Sequence, residues 1–267
     1  MKPEILITND DGVTAPGLLA LVKEIRKIAR VSVLAPDRNW SGKGHVKTRN
    51  RPLRVRSTSL ADGTQAFTSD GAPSDCVALG LLGYFGVHFD LVISGINPGA
   101  NFGHDVTYSG TVTAAMEAVI NGMPGVAFSL GSTDHSLVAK DFHPAALYAR
   151  QIINKTLKNG LPAGILLNVN IPYLPKEHIQ GIQVTRQGQR VYHSRLDQGR
   201  DPRDRPFYWI AGDAPSGIPQ TGTDIGALEK GYVSITPLQL DLTAYPAQTA
   251  LKHWEWQDIR QQQAAFV

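Results

Sequence analysis

From residue 4 to residue 171 the chain alternates between two kinds of apolar pattern, and few folds accommodate that alternation. Residues 4–8 form a short apolar run; 17–29 carry Leu18, Leu21, Val22, Ile25 and Ile28 at helical spacing; 31–35 are strand-like again. Such a βαβ unit favours parallel pairing through a right-handed crossover. The pattern continues with a helix over 73–84, a buried strand over 91–94 and a helix over 111–121. A strand over 126–129, a helix over 144–157 and a strand over 165–171 follow. This repetition predicts an α/β, Rossmann-like fold with a mostly parallel, doubly wound sheet.

After residue 172 the alternation stops. Residues 182–185 and 191–193, separated by 186–190, are expected to form a β-hairpin, and the polar, turn-rich stretch 198–205 an exposed arm or loop. A long hairpin on a compact body is either a surface flap or an oligomerisation arm; the arm is the favoured reading. Residues 232–236 read as a late strand and 254–263 as a C-terminal helix. The 267 residues are thus expected to form a single α/β domain, with a catalytic core over 1–175 and an arm with the C-terminal segment over 176–267.

Composition excludes several classes. With 42% hydrophobic and 18% charged residues, a packed core is expected and wholesale disorder is not. No apolar stretch approaches the roughly 18 residues that span a bilayer, and the N-terminus lacks the pattern of a secretory signal. Cys76, the one cysteine, allows no internal disulfide and sits in an apolar helical run, so it reads as core rather than as a reactive thiol. A net charge of +3 with no clustered basic face gives no reason to expect duplex nucleic acid as a partner. The expectation is a cytoplasmic protein that engages no membrane.

Three polar loops each follow a predicted parallel strand, where open α/β sheets collect their ligands. The first is Thr8-Asn9-Asp10-Asp11-Gly12. Two adjacent carboxylates repel unless a cation intervenes, and a hard ion such as Mg²⁺ or Mn²⁺ prefers such oxygens; a plain capped turn, with Asn9 or Asp10 as the cap, is the competing reading. The second loop runs from Ala35 to His45 and contains Ser41, Gly42, Lys43 and Gly44; an ordinary βα connection would look the same. The third begins at Ser94 and places Asn97 and Asn101 in a glycine-rich stretch, offering oxygen and amide groups to a cation or a phosphate. Beyond it, Tyr108-Ser109-Gly110-Thr111 opens a helix. Ser109 or Thr111 reads as an N-cap, and the same helix N-terminus is an anion site; the two roles are compatible. Carboxylates, a hydroxyl with a lysine, and amides at a helix N-terminus together suit phosphate-ester hydrolysis. The Walker sequence, a G-x-G-x-x-G after the first strand and a G-x-S-x-G elbow are all missing, which disfavours phosphate-loop ATPases, dehydrogenases and serine hydrolases.

In their order and spacing these motifs resemble the SurE family of survival-protein nucleotidases. The resemblance rests on Ile7-Thr8-Asn9-Asp10-Asp11-Gly12, Ala35-Pro36 through Ser41-Gly42, Ser94-Gly95-Ile96-Asn97 through Asn101, Tyr108-Ser109-Gly110-Thr111-Val112 and the late Gly231-Tyr232-Val233-Ser234-Ile235-Thr236-Pro237-Leu238. It implies a Rossmann-like core, a C-terminal part engaged in homodimer or homotetramer contacts, and one divalent metal ion (Mg²⁺ or Mn²⁺) held by Asp10, Asp11, Ser41 and Asn97. Phosphate is implied near Asn101, Ser109, Gly110 and Thr111. Asp10 and Asp11 are the implied catalytic pair, with Asn9 shaping their loop. The implied activity is hydrolysis of nucleoside 5′- and 3′-monophosphates, with short polyphosphate as a further substrate. Two rivals stay open: a nucleotide-binding regulatory module without turnover, and a general phosphomonoesterase. Asp224 either reaches the site or caps a late helix, the cap being favoured. Trp40, Phe102 and Tyr108 either stack on a base or anchor their loops.

Overall fold

The computed structural model describes residues 2–131 and 141–254. Its organising feature is a nine-stranded sheet. In chain order the strands and helices of the first half are β1 (Glu4–Thr8), α1 (Pro16–Ile25), β2 (Arg30–Pro36), β3 (Val55–Ser59), β4 (Gln65–Ser69), α2 (Pro73–Leu79), β5 (Leu91–Asn97), α3 (Gly110–Ile120) and β6 (Gly125–Gly131). The second half adds α4 (His143–Asn159), β7 (Ile165–Pro172), β8 (Ile182–Val184), β9 (Gln189–Arg200), β10 (Pro206–Ile218), α5 (Asp224–Glu229), β11 (Val233–Gln239) and α6 (Tyr245–Leu251). The sheet order is β3-β4-β2-β1-β5-β6-β7-β11-β8. From β4 to β7 every neighbouring pair is parallel, as the alternating pattern predicts.

Alternate residues of β1 feed opposite layers, the consequence of a strand's two-residue period. Ile5 and Ile7 join the core formed with Leu18, Leu21 and Ile25 of α1 and Ala146, Ala149 and Ile153 of α4. Leu6 joins the other face with Cys76 and Val77 of α2 and Ala114 and Ala118 of α3. Cys76 is fully buried, and burial pushes its thiol well above the ordinary range, so it is a core residue.

The chain runs outward from β1 to β2 in one direction and from β1 to β5, β6 and β7 in the other. The strand order therefore reverses at β1, and the crevice outside the carboxyl ends of β1 and β5 is the fold's topological switch point. Thr8 and Ser94, with which the first and third polar loops begin, are register partners there.

Two expectations are corrected. The helix expected over 73–84 is α-helical only to Leu79, then widens into a π turn, Gly80–Tyr84, with Gly83 at φ 107°. Residues 182–185 and 191–193 do not form a hairpin: β8 pairs in parallel with β11 in the main sheet, while β9 pairs with β10 in a separate ribbon. The stretch 198–205, expected to be an exposed arm or loop, is the exposed end of β9 and the turn at the ribbon's tip. The hairpin arm expected of the C-terminal part is present, but over residues 189–218: its strands are mostly exposed, so no polar–apolar alternation marks their bounds. The hairpin β3–β4 at the sheet's edge was likewise unmarked. β11 and β8, both from the chain after residue 175, complete the main sheet. The expected C-terminal helix over 254–263 lies outside the described residues apart from Trp254; α6 ends upstream of it.

Candidate active site

The Asp loop is tied to itself before it touches anything else. Asn9 is fully buried, and its side chain both donates to Gly12 O (2.9 Å) and accepts from Gly12 N (3.2 Å). Gly12 sits at φ 103°, where a side chain would strain the backbone. Both amide atoms of Asn9 are thus occupied in shaping the turn that presents Asp10 and Asp11.

Asp10 is 3% exposed. Its Oδ1 accepts a short hydrogen bond from the Thr111 hydroxyl, and its carbonyl accepts from Trp40 N (2.7 Å). Gly110 lies against it: a Cβ there would stand 2.6 Å from Asp10 Cβ and 2.9 Å from Oδ2. The first and second polar loops and the N-terminus of α3 therefore meet on Asp10, the second loop at its backbone carbonyl and α3 at its carboxylate. Asp11 is less buried, yet its Oδ2 is shielded from solvent and has no hydrogen-bond partner. Burial raises both pKa values. Asp11 is pushed up to about 7, the Asp10 charge adding to the effect of burial, while Asp10 is raised by burial against the pull of Thr111 and Gly110.

Ser109 is the N-cap of α3, its Oγ accepting from Val112 N (3.1 Å). Thr111, fully buried, is not the cap; its hydroxyl serves Asp10. Asn101 is buried at the end of a polar row that crosses three strands, Asn97, Ser129 and Asn170 being register partners on β5, β6 and β7. Its backbone N–H donates to Asn170 Oδ1 (2.8 Å), its side chain donates to Ser129 Oγ (2.7 Å), and its carbonyl accepts from Asn168 (2.8 Å) and Asn170 (3.1 Å). Asn97 Nδ2 donates to Gly99 O (2.5 Å), so Oδ1 is the atom it can offer a cation. Ser41 is exposed, one residue beyond the Trp40 contact, and its N–H donates to Asn39 Oδ1 (2.6 Å). Among the described residues no hydrogen bond joins Ser41 or Asn97 to the Asp pair.

Two supports were not anticipated from the sequence. Glu117 of α3 is buried and accepts from His45 (2.9 Å), Lys47 (2.6 Å) and Asn121 (3.0 Å); with Gly44 N on Tyr108 O (2.9 Å), this straps the Ser41 loop to α3. Burial alone would raise the Glu117 pKa, but hydrogen bonds from His45, Lys47 and Asn121 outweigh it and hold the carboxyl down at about 2. The stability this confers is complete above the ordinary carboxylate pKa and is lost as pH falls from there through about 2. Glu117→Gln should lower the unfolding free energy by about 1–3 kcal/mol at neutral pH and flatten this acid limb. Urea unfolding between neutral and acidic pH measures both, and superimposable curves would show the strap to be inert.

The other support is Asp224. It is neither the cap of its helix, which is Thr223, nor open to a ligand: fully buried, it accepts from Gly103 N (2.9 Å) and Gly188 N (2.7 Å). It thereby fastens the Asn101 loop to the foot of the β9–β10 ribbon, where Arg190 pairs with Asp105 (2.6 Å). A better signal lay in Asn168 and Asn170: two amides on one face of an otherwise apolar strand have to be paired with something.

A divalent cation fits what these residues present. Two adjacent carboxylates stand together, both with raised pKa values and one with a buried, unpartnered oxygen, and such a pair is stabilised by a hard, oxygen-seeking ion. Among the described residues no group of three or more His, Cys, Asp or Glu side chains is gathered, so the remaining donors would be neutral oxygens.

Known proteins share this architecture. The family model described as Survival protein SurE matches residues 5–194. The chain is 47% identical over 254 residues to the 5′-nucleotidase SurE of Chloroflexus aggregans, covering 95% of this chain and 99% of that protein. It is 50% identical over 239 residues to the 5′-nucleotidase SurE of Herpetosiphon aurantiacus, covering 90% and 93%. A crystal structure of the SurE protein from Aquifex aeolicus aligns with a TM-score of 0.79 at 44% identity, covering 94% of this chain and 99% of that one. With its Asp loop, polar strand row and α3 N-terminus in the arrangement described, the chain belongs to the SurE survival-protein family.

Proposed function

We propose that this protein is a divalent-metal-dependent phosphatase that hydrolyses nucleoside 5′-monophosphates to nucleoside and phosphate. The observation that carries the reading is the contact of Asp10 with Thr111 and Gly110, which sets a carboxylate pair beside a helix N-terminus. A cation between the two makes sense of both, since carboxylates alone would repel a phosphate. Asp10, Asp11, Ser41 Oγ and Asn97 Oδ1 would hold it, with Mg²⁺ or Mn²⁺ as the ion. When bound, such an ion offsets charge on the phosphoryl group and eases deprotonation of water.

The chain's own residues do the rest. The N–H groups at the start of α3 receive phosphoryl oxygens, favoured by the helix dipole. Gly110 leaves the room this approach needs, Ser109 keeps the helix capped, and Thr111 fixes Asp10. Asn101, itself fixed by Ser129, Asn168 and Asn170, borders the phosphate. Asp11 Oδ2, without a protein partner, accepts the proton of the attacking water, with Asn9 holding the turn that aims it. Hydrolysis of 3′-monophosphates and short polyphosphate belongs to the same reading, since the cradle grips the phosphoryl group.

Release of orthophosphate from AMP in the presence of Mg²⁺ or Mn²⁺, faster than from glycerol phosphate, is the expected result. Binding without any release would favour a nucleotide sensor instead, and equal rates on both esters a general phosphomonoesterase.

Residues 1–175 form the catalytic core in this reading, and 176–267 supply the arm and the C-terminal segment. The ribbon β9–β10 exposes Leu196, Phe207, Tyr208, Trp209 and Ile210, the last at 87% exposure. Apolar surface of this kind on a projecting ribbon suits a homodimer or homotetramer. Trp209→Glu with Ile210→Glu should therefore reduce the particle to a monomer in light scattering; an unchanged mass would remove the ribbon from the interface. We place the protein in the cytoplasm, which suits a buried lone cysteine; no described helix is long and apolar enough to cross a membrane.

A further inference from the structure

Three aromatic residues lie on the loops that build the site, and their surroundings set them apart. Phe102 is 8% exposed, with the Arg190 guanidinium 5.8 Å from its ring centroid. Trp40 is half-buried, covered by the Arg38 guanidinium at 4.9 Å. Both are packed as loop anchors. Tyr108 is different: it is 62% exposed, and among the described residues neither an aromatic ring nor a guanidinium packs on it.

Its backbone, by contrast, is fixed. Tyr108 N donates to Asp105 O (3.0 Å) and its carbonyl accepts from Gly44 N (2.9 Å). The residue directly precedes the Ser109 cap and Gly110. A second tyrosine comes from the foot of the ribbon: Tyr192, 44% exposed, donates its hydroxyl to Asp105 Oδ1 (2.5 Å) and lies near enough to Tyr108 to sense its phenol. A rigidly mounted, open aromatic ring one residue from a phosphate cradle is a stacking surface, and stacking accepts any base because every base has a π-face.

We propose that the nucleobase of the substrate stacks on Tyr108, with Tyr192 beside it, and that this contact favours nucleotides over base-free phosphate esters. The proposal rests on the phosphate cradle assigned above; it adds the group that reads the other end of the substrate. Because Tyr192 is held through Asp105 to the same turn that carries Tyr108, the ribbon's foot forms part of the base site.

Tyr108→Ala and Tyr108→Phe, with AMP as substrate and ribose 5-phosphate as a base-free competitor, test this. Tyr108→Ala should raise KM for AMP about fivefold, the low end of a lost stacking contact, with kcat little changed. The inhibition constant of ribose 5-phosphate should stay at its wild-type value, and Tyr108→Phe, which keeps the ring, should restore the AMP KM. An unchanged KM for AMP in Tyr108→Ala overturns the proposal. So does a loss of ribose 5-phosphate affinity in step with AMP, which marks a structural role. Either result leaves the phosphatase reading standing if the wild type still releases phosphate from AMP. A wild type that releases none removes both.

Discussion

Asp11→Asn is expected to give a folded protein whose metal-stimulated phosphate release is lowered on the order of a thousandfold. The substitution keeps the shape of the side chain and removes its charge, and with that charge the strongest reason for a cation to settle beside Asp10. The same change should leave the metal-free protein at least as heat-stable as the wild type at neutral pH. Burial and the Asp10 charge push the Asp11 carboxyl up to about 7, so the folded state binds a proton that the unfolded chain releases near the ordinary carboxylate value. The metal-free wild type therefore loses stability as pH rises from that ordinary value through about 7, and the asparagine variant should not. Thermal melts at acidic and neutral pH, alongside phosphate release, read out both effects. Wild-type turnover in this variant, or a melting temperature that drops sharply without metal, would contradict the assignment.

Gly110→Ala is expected to cost about a hundredfold in kcat/KM while α3 stays formed. Alanine is intrinsically the better helix residue, so no loss of the helix is predicted. The damage is local: the new methyl would sit 2.6 Å from Asp10 Cβ and 2.9 Å from Oδ2. The carboxylate has to move by a substantial fraction of an ångström, and displacements of about 1 Å in a reacting group can cost a hundredfold. Circular dichroism and melting checked against kinetics separate this from unfolding. An alanine variant with wild-type kinetics would mean that Asp10 has room to spare and that the close approach of α3 is incidental.

Both variants concern residues that the sequence singled out, and the reason they were legible is topological. A polar loop directly after a parallel strand has to lie at the carboxyl edge of the sheet, so the loops that carry Asp10, Asp11, Ser41 and Asn97 could be expected at one crevice from order alone. The parallel core was legible for a related cause: its strands are buried on both faces, and Leu91–Asn97 and Gly125–Gly131 carry the apolar runs that such burial demands. What order could not reveal was pairing across distance. Asp224 looked like a cap because capping is a local rule; its actual partners, Gly103 and Gly188, are 121 and 36 residues away. Glu117 carries no local mark of its role, and only the folded loop brings His45 and Lys47 to it. Thr111, placed near phosphate by the family resemblance, also gives its hydroxyl to Asp10, a partner 101 residues away that no local rule predicts. The arm itself was legible, but its strands β9 and β10 were misplaced because they are mostly exposed, and an exposed strand leaves little periodic trace.

A division of labour follows from these contacts. In the proposed function the Asp loop and α3 N-terminus bear on the phosphoryl group, whereas the Glu117 strap and the Asp224 fastening hold the surrounding loops in register with them. Variants in the first set should alter turnover with small effects on stability. Variants in the second should do the reverse.

The most direct measurement is phosphate release from AMP by protein freed of metal with a chelator and then dialysed, before and after Mg²⁺ or Mn²⁺ is returned. Turnover should vanish on demetallation and come back with either ion in the wild type, but not in Asp11→Asn. Undiminished release from the fully demetallated wild type would contradict the account.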